Sequence, residues 1–186
     1  MNCDIRKLDE SSRCFLPHAH QPFDVIGRFI PMYDGETWSY REVLDDTHRQ
    51  KKYRDDRIAP KDYIENKERA IFLAVCDDMC VGLVRMRVNW FGVGYIEDLA
   101  VDAQYRHMGI GQKLMDSAVD WCRERKSDRI TLETQDNNVQ ACRFYIRYGF
   151  AICGIDTQKY SFLEECRDEI AIYFSLAIGK MIELGI

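Results

Sequence analysis

The stretch of this chain best suited to chemistry is Arg106-His107-Met108-Gly109-Ile110-Gly111. Two glycines stand one residue apart between a short apolar run, Leu99–Val101, and a helical pattern. A helix start exposes about four unpaired backbone N–H groups and a partial positive charge. Glycine lacks a Cβ, so an anionic oxygen can approach such a backbone closely. The spacing predicts a pyrophosphate cradle formed by Arg106, His107, Met108, Gly109, Ile110, Gly111 and Gln112. The plain alternative is a strand-to-helix connection. Gly-x-x-x-x-Gly-Lys-Ser/Thr and Gly-x-Gly-x-x-Gly are both absent, which excludes the two standard nucleotide loops.

Just before the cradle stand Glu97 and Asp98, two carboxylates able to take a proton from an ammonium or to hold a cation. Adjacent residues of a regular strand point to opposite faces, so at most one of them is expected to face a reacting amine directly; a bulge would change which. Glu133, on a later strand, adds a third acid or is a surface carboxylate. Tyr145 offers a phenol whose ordinary pKa of about 10 lies near that of an alkyl thiol. It is a candidate general acid, or else a packed helix tyrosine. Asn138 suits a helix N-cap. Backbone N–H groups at Leu99, Ala100 and Val101 are candidate oxyanion donors. Trp38, Trp90 and Tyr33 are candidates to line an acceptor site, with core packing the safer expectation for each. Cys142 lacks an evident His partner and is a poor nucleophile candidate.

The elements that must position these groups follow from periodicity. Strands are expected at Asp4–Leu8, Phe23–Pro31, Ala70–Cys76, Cys80–Trp90, Tyr95–Val101, Arg129–Thr134, Phe150–Asp156 and Glu169–Ala177. Asp77-Asp78-Met79 makes a hairpin turn. Helices are expected at about Gly109–Arg125 and at Asn138–Tyr148, the second stopped by Gly149. Ser39 and Glu42 have the spacing of a capping box opening a short helix. Asp45–Arg57 reads as a solvated helix or loop, Pro60–Ile64 as a helical turn, His18 and His20 as loop residues, and Gly179–Ile186 as a tail. This order predicts an α+β fold with a mixed, mainly antiparallel sheet flanked by helices.

Length suits a single domain over 1–186. A net charge of −5 argues against a nucleic-acid partner and agrees with a cationic one. No export signal or spanning segment is apparent, so the expected location is cytoplasmic, with no membrane partner. The eight cysteines are then expected as reduced thiols. No Cys/His spacing completes a metal site, and none is expected.

Arg106…Gly109-x-Gly111, together with Asn138-x-x-Ala141-x-x-Phe144-Tyr145 and Gly149-Phe150, resembles the GNAT superfamily of acetyl-CoA-dependent N-acetyltransferases. The resemblance covers about residues 70–155, the expected acetyl-CoA-binding core. A longer set is similar to streptothricin acetyltransferases: Pro22–Gly27, Tyr95–Asp98, Leu132–Asn138, Ala141-Cys142, Phe144-Tyr145 and Gly154-x-Asp156. Residues 45–69 share no pattern with them. The resemblance implies acetyl-CoA as co-substrate, bound by Leu99–Val101, Arg106–Gln112, Asn138 and Tyr145. It implies acetylation of an amine on the β-lysine group of streptothricin or nourseothricin, hence antibiotic resistance. Tyr145, Glu97 and Asp98 are the expected catalytic residues; Glu97, Asp98, Glu133, Trp38 and Trp90 the expected acceptor contacts. Another amine, such as a polyamine or a protein N-terminus, and a non-catalytic CoA-binding regulatory module are the alternatives. A homodimer is allowed for.

Overall fold

The computed structural model describes residues 3–16, 20–55 and 58–179. The expected tail beyond Gly179 lies outside the described residues. The chain forms two compact units: Met1–His20, Asp55–Ile130 and Ala177–Ile186 make one, Gln21–Arg54 and Thr131–Leu176 the other.

The first unit holds strands β1 (Cys3–Lys7), β4 (Arg69–Cys76), β5 (Met79–Val88) and β6 (Gly94–Val101) and helix α1 (Ile110–Glu124). The strands lie in the order β1-β4-β5-β6, each pair antiparallel. Asp77 and Asp78 both take positive φ, 47° and 62°, as a two-residue hairpin between right-twisted strands requires. The alternation in β5 sorts its faces. Helix α1 buries Leu114, Met115, Ala118 and Cys122, each large apolar side chain contributing roughly 1.5–3 kcal/mol. It approaches β6 closely at Gly94, where a Cβ would lie 2.5 Å from Cys122 Sγ. Gly94 pairs with Val88 and Ile96 with Met86, so α1 covers the Met86 face. The other face carries Ile71, Leu73 and Leu83, packed with Leu8 and Tyr63.

The second unit holds β2 (Phe23–Tyr33), β3 (Trp38–Lys51), β7 (Arg129–Gln135, all but its first two residues), α2 (Val139–Tyr148), β8 (Ala151–Asp156) and β9 (Ala171–Ala177). β2 and β3 form an antiparallel ribbon; β9 lies between β7 and β8. Asn138 caps α2 by accepting from Ala141 N at 3.1 Å, and Gly149 ends it in the left-handed region, φ 112°.

Several expectations fail here. Ser39 and Glu42 open no helix; they lie within β3, which also takes Asp45–Lys51. Pro31 does not end β2. Phe29 N–H donates to Asp136 O, away from β3, and Pro31, two residues on, faces the same way, so its missing N–H breaks no ribbon bond. Trp90 lies outside β5 and is 87% exposed, so core packing is wrong for it. It stacks on Phe91 instead, ring centroids 3.7 Å apart. Cys3 and Cys76 are not reduced thiols but a disulfide, because β1 and β4 register them directly opposite each other. The six other cysteines form no disulfide.

Candidate active site

In the first unit the cradle is built by backbone conformation. The chain leaves β6, makes a single turn at Ala103–Tyr105, and reaches α1 through Gly109 at φ 78°, ψ 0°. That left-handed conformation costs roughly 1–2 kcal/mol for a residue with a Cβ. Among the described residues, a Cβ at Gly109 would meet nothing beyond its chain neighbours within 4 Å. The space in front of the helix start is therefore open. His107, Met108 and Gly109 are exposed at its rim. The first α1 bond runs from Lys113 N–H to Gly109 O, and Gly109 supplies no side-chain cap. The N–H groups of Ile110, Gly111 and Gln112 precede that bond and have no intrahelical partner. These observations fit a pyrophosphate. Arg106 is turned toward the strand end, its Nε donating to Val101 O at 3.0 Å.

Upstream, β6 carries one extra residue. Arg85 pairs with Asp98 and Met86 with Ile96, which leaves Glu97 as a β-bulge. Two bulge residues oppose one partner and share its side of the sheet. The expectation that Glu97 and Asp98 face opposite ways is thus overturned. Both stand on the Arg85 side, away from α1. Their commitments differ. Glu97 accepts from Tyr63 Oη at 2.8 Å and lies 3.3 Å from Arg87 Nε and 3.9 Å from Arg85 Nε. Burial, then the bond to Glu97, pushes the Tyr63 phenol up to about 12, which keeps it a donor. Asp98 Oδ2 lies 3.7 Å from His20 Nε2.

In the second unit, Tyr145 is 7% exposed, its ring 5.6 Å from Phe174 and 5.8 Å from Phe150. Asn138, besides capping α2, donates from Nδ2 to Tyr53 Oη at 3.1 Å. Glu133 accepts from Tyr160 Oη and pairs with Lys159 Nζ at 2.9 Å. Burial first, then the Glu133 bond, drives the Tyr160 phenol far up, so it too stays protonated. Trp38 pairs with Tyr33, ring centroids 5.0 Å apart. Burial raises the Cys142 thiol strongly, which removes it as a nucleophile. Among the described residues, no group of three or more His, Cys, Asp or Glu is placed to hold a metal. No helix there is long and apolar enough to cross a membrane.

Residues 31–150 match the acetyltransferase (GNAT) family. The chain belongs to that family. It is 37% identical to streptothricin acetyltransferase A of Bacillus subtilis over 155 residues, 83% of this chain and 88% of that one. It is 33% identical to a streptothricin acetyltransferase of Escherichia coli, over 66% of this chain and 69% of that one. A Bacillus anthracis structure assigned as a streptothricin acetyltransferase, in complex with acetyl coenzyme A, superimposes with a TM-score of 0.85. It is 33% identical, and the match covers 95% of this chain and 99% of that one. Nourseothricin acetyltransferase superimposes with a TM-score of 0.79 at 25% identity, over 96% of this chain and all of that one.

This GNAT acetyltransferase therefore has the α+β fold its sequence predicts. The enzyme is an N-acetyltransferase of the acyltransferase class. Sequence reasoning missed the groups that tie down its acids: Tyr63, Arg85, Arg87 and His20 in one unit, Lys159 and Tyr160 in the other. Only the alternation that put Arg85 and Arg87 on one face of β5 hinted at any of them.

Proposed function

We propose that this enzyme transfers the acetyl group of acetyl-CoA to an amine of the β-lysine group of streptothricin, and so inactivates the antibiotic. The similarity to streptothricin acetyltransferase A carries this reading, because it runs through most of both chains. Gly109, Ile110, Gly111 and Gln112 hold the pyrophosphate with backbone N–H groups, and Arg106 adds positive charge. The backbone of Leu99–Val101 receives the thioester oxygen. When bound, acetyl-CoA supplies an activated acyl carbon. The protein orients the amine, takes up its proton and returns one to the departing sulfur. Tyr145 is the acid for the sulfur. Glu97, Asp98 and Glu133 attract the cationic acceptor, in keeping with the net charge of −5. Trp38 and Trp90 contribute apolar surface to the acceptor.

A second reading has one observation in its favour. A 92-residue stretch is 37% identical to N-alpha-acetyltransferase 30 of Xenopus laevis, 47% of this chain but only 34% of that one. A protein N-terminus is then the acceptor. Thiol release from acetyl-CoA separates the readings when streptothricin, a polyamine and an N-terminal peptide are offered side by side.

A further inference from the structure

We propose that His20, held by Asp98, is the base that deprotonates the acceptor. The inference rests on the reading that the acceptor is an amine. His20 Nε2 lies 3.7 Å from Asp98 Oδ2, and the two side chains are only 15% and 16% exposed. The main chain of His20 is tied down as well: its N–H donates to Asp55 Oδ1 at 2.7 Å. Asp98 stands at the β6 bulge, one residue before Leu99. The carboxylate beside the imidazole thus immediately precedes the stretch proposed to receive the thioester oxygen.

Of the two bulge carboxylates, Glu97 is engaged by neighbouring side chains: Tyr63 donates to it at 2.8 Å and the Arg87 guanidinium stands 3.3 Å away. Asp98 instead faces a group that gains charge when it takes a proton. A carboxylate at ion-pair distance stabilises an imidazolium and fixes the ring's orientation, as in other carboxylate–histidine pairs.

The step balances. His20 takes H+ from R–NH3+, giving R–NH2 and imidazolium. The amine nitrogen bonds to the acyl carbon, the carbon–sulfur bond breaks, and the sulfur leaves with its electron pair; the nitrogen sheds its second proton and the sulfur gains one, so that proton is balanced between them. His20 then releases its proton to solvent. Overall, an ammonium and a thioester give an amide, a thiol and one proton. Asp98 is a positioning residue in this scheme. Among the described residues, the charged groups placed at His20 are Asp98 from β6, beside the imidazole, and Asp55, on the main-chain N–H; Arg85 is registered opposite Asp98 on β5.

The test compares wild type, His20→Gln and His20→Ala on whichever amine the wild type acetylates most rapidly among streptothricin, spermidine and an N-terminal peptide. A wild type silent toward streptothricin but active on another amine overturns the substrate reading and leaves the histidine test intact. Turnover of both variants is expected to fall about 100-fold or more, with the KM for acetyl-CoA within about twofold of wild type. The acidic limb of the pH–rate profile should disappear, and added imidazole should restore part of the His20→Ala turnover. Asp98→Asn should give a smaller loss with the acidic limb displaced. Wild-type turnover and pH profile in a folded His20→Ala overturn the proposal. A loss that imidazole leaves untouched and that appears equally in His20→Gln as a raised acetyl-CoA KM also overturns it, since that is a structural role.

Discussion

Tyr63 donates its phenolic proton to the carboxylate of Glu97 across 2.8 Å. The bond joins the loop before β4 to the bulge of β6, and Tyr63 is itself part of the apolar cluster on that face. Removing the hydroxyl leaves a half-buried carboxylate short of a donor. Tyr63→Phe should destabilise the protein by about 1–3 kcal/mol, read from urea denaturation. It should also weaken the match between Glu97 and a cationic acceptor, raising the acceptor KM. Unchanged stability and KM would mean that the hydroxyl holds nothing in place.

Gly109 gives a cleaner separation of fold from binding. Among the described residues a Cβ there meets nothing beyond its chain neighbours within 4 Å, so Gly109→Ala should cost only the backbone strain of the left-handed region, roughly 1–2 kcal/mol. Its effect on acetyl-CoA should be larger, with affinity falling about 10-fold or more by calorimetry, because the methyl group projects into the open space before the helix start. Gly111→Val should lose affinity more severely. Full affinity in a folded Gly109→Ala contradicts the cradle.

Tyr145→Phe keeps the ring that packs against Phe150 and Phe174 and removes the phenolic hydroxyl. Turnover should drop about 100-fold with little change in the acetyl-CoA KM, since an interaction made only in the transition state is being lost. Normal turnover with chemistry rate-limiting assigns Tyr145 to packing alone.

The glycine turn into α1, the two helices and Gly149 were legible because each is a local pattern of a few residues. The ribbon was not. β3 is mostly exposed along its length, so no alternation of buried and exposed positions marks it. Ser39 and Glu42 then imitate a capping box by chance, while the real partner of Glu42 is Arg143, on α2. The acidic residues of β6 could be picked out in the sequence, but not their relations to other residues. The bulge depends on pairing with β5, and the approach of His20 to Asp98 joins distant parts of the chain. Cys3 and Cys76, 73 residues apart, escaped for the same reason. Trp90 was misplaced because the alternation of β5 continues formally into the turn.

Glu42 and Arg143 make stability depend on pH. The hydrogen bond from Arg143 holds the Glu42 carboxyl below its ordinary range. A depressed carboxyl pKa contributes stability above the unfolded value, about 4.3, and that contribution is lost as pH falls through the folded value. Both side chains are partly exposed, so the pair is worth about 1 kcal/mol. Arg143→Met should be less stable than wild type by about that amount near neutral pH, and the gap should close on acidification below about pH 4. A gap that persists in acid means the loss is packing rather than charge.

The central claim is that this N-acetyltransferase acetylates streptothricin on its β-lysine group. The most direct measurement is mass spectrometry of the antibiotic after incubation with the enzyme and acetyl-CoA. The expected result is one added acetyl group, with fragmentation locating it on a β-lysine amine and with antibiotic activity lost. Unmodified streptothricin, in a reaction where the same enzyme acetylates a polyamine or a peptide N-terminus, would contradict the claim.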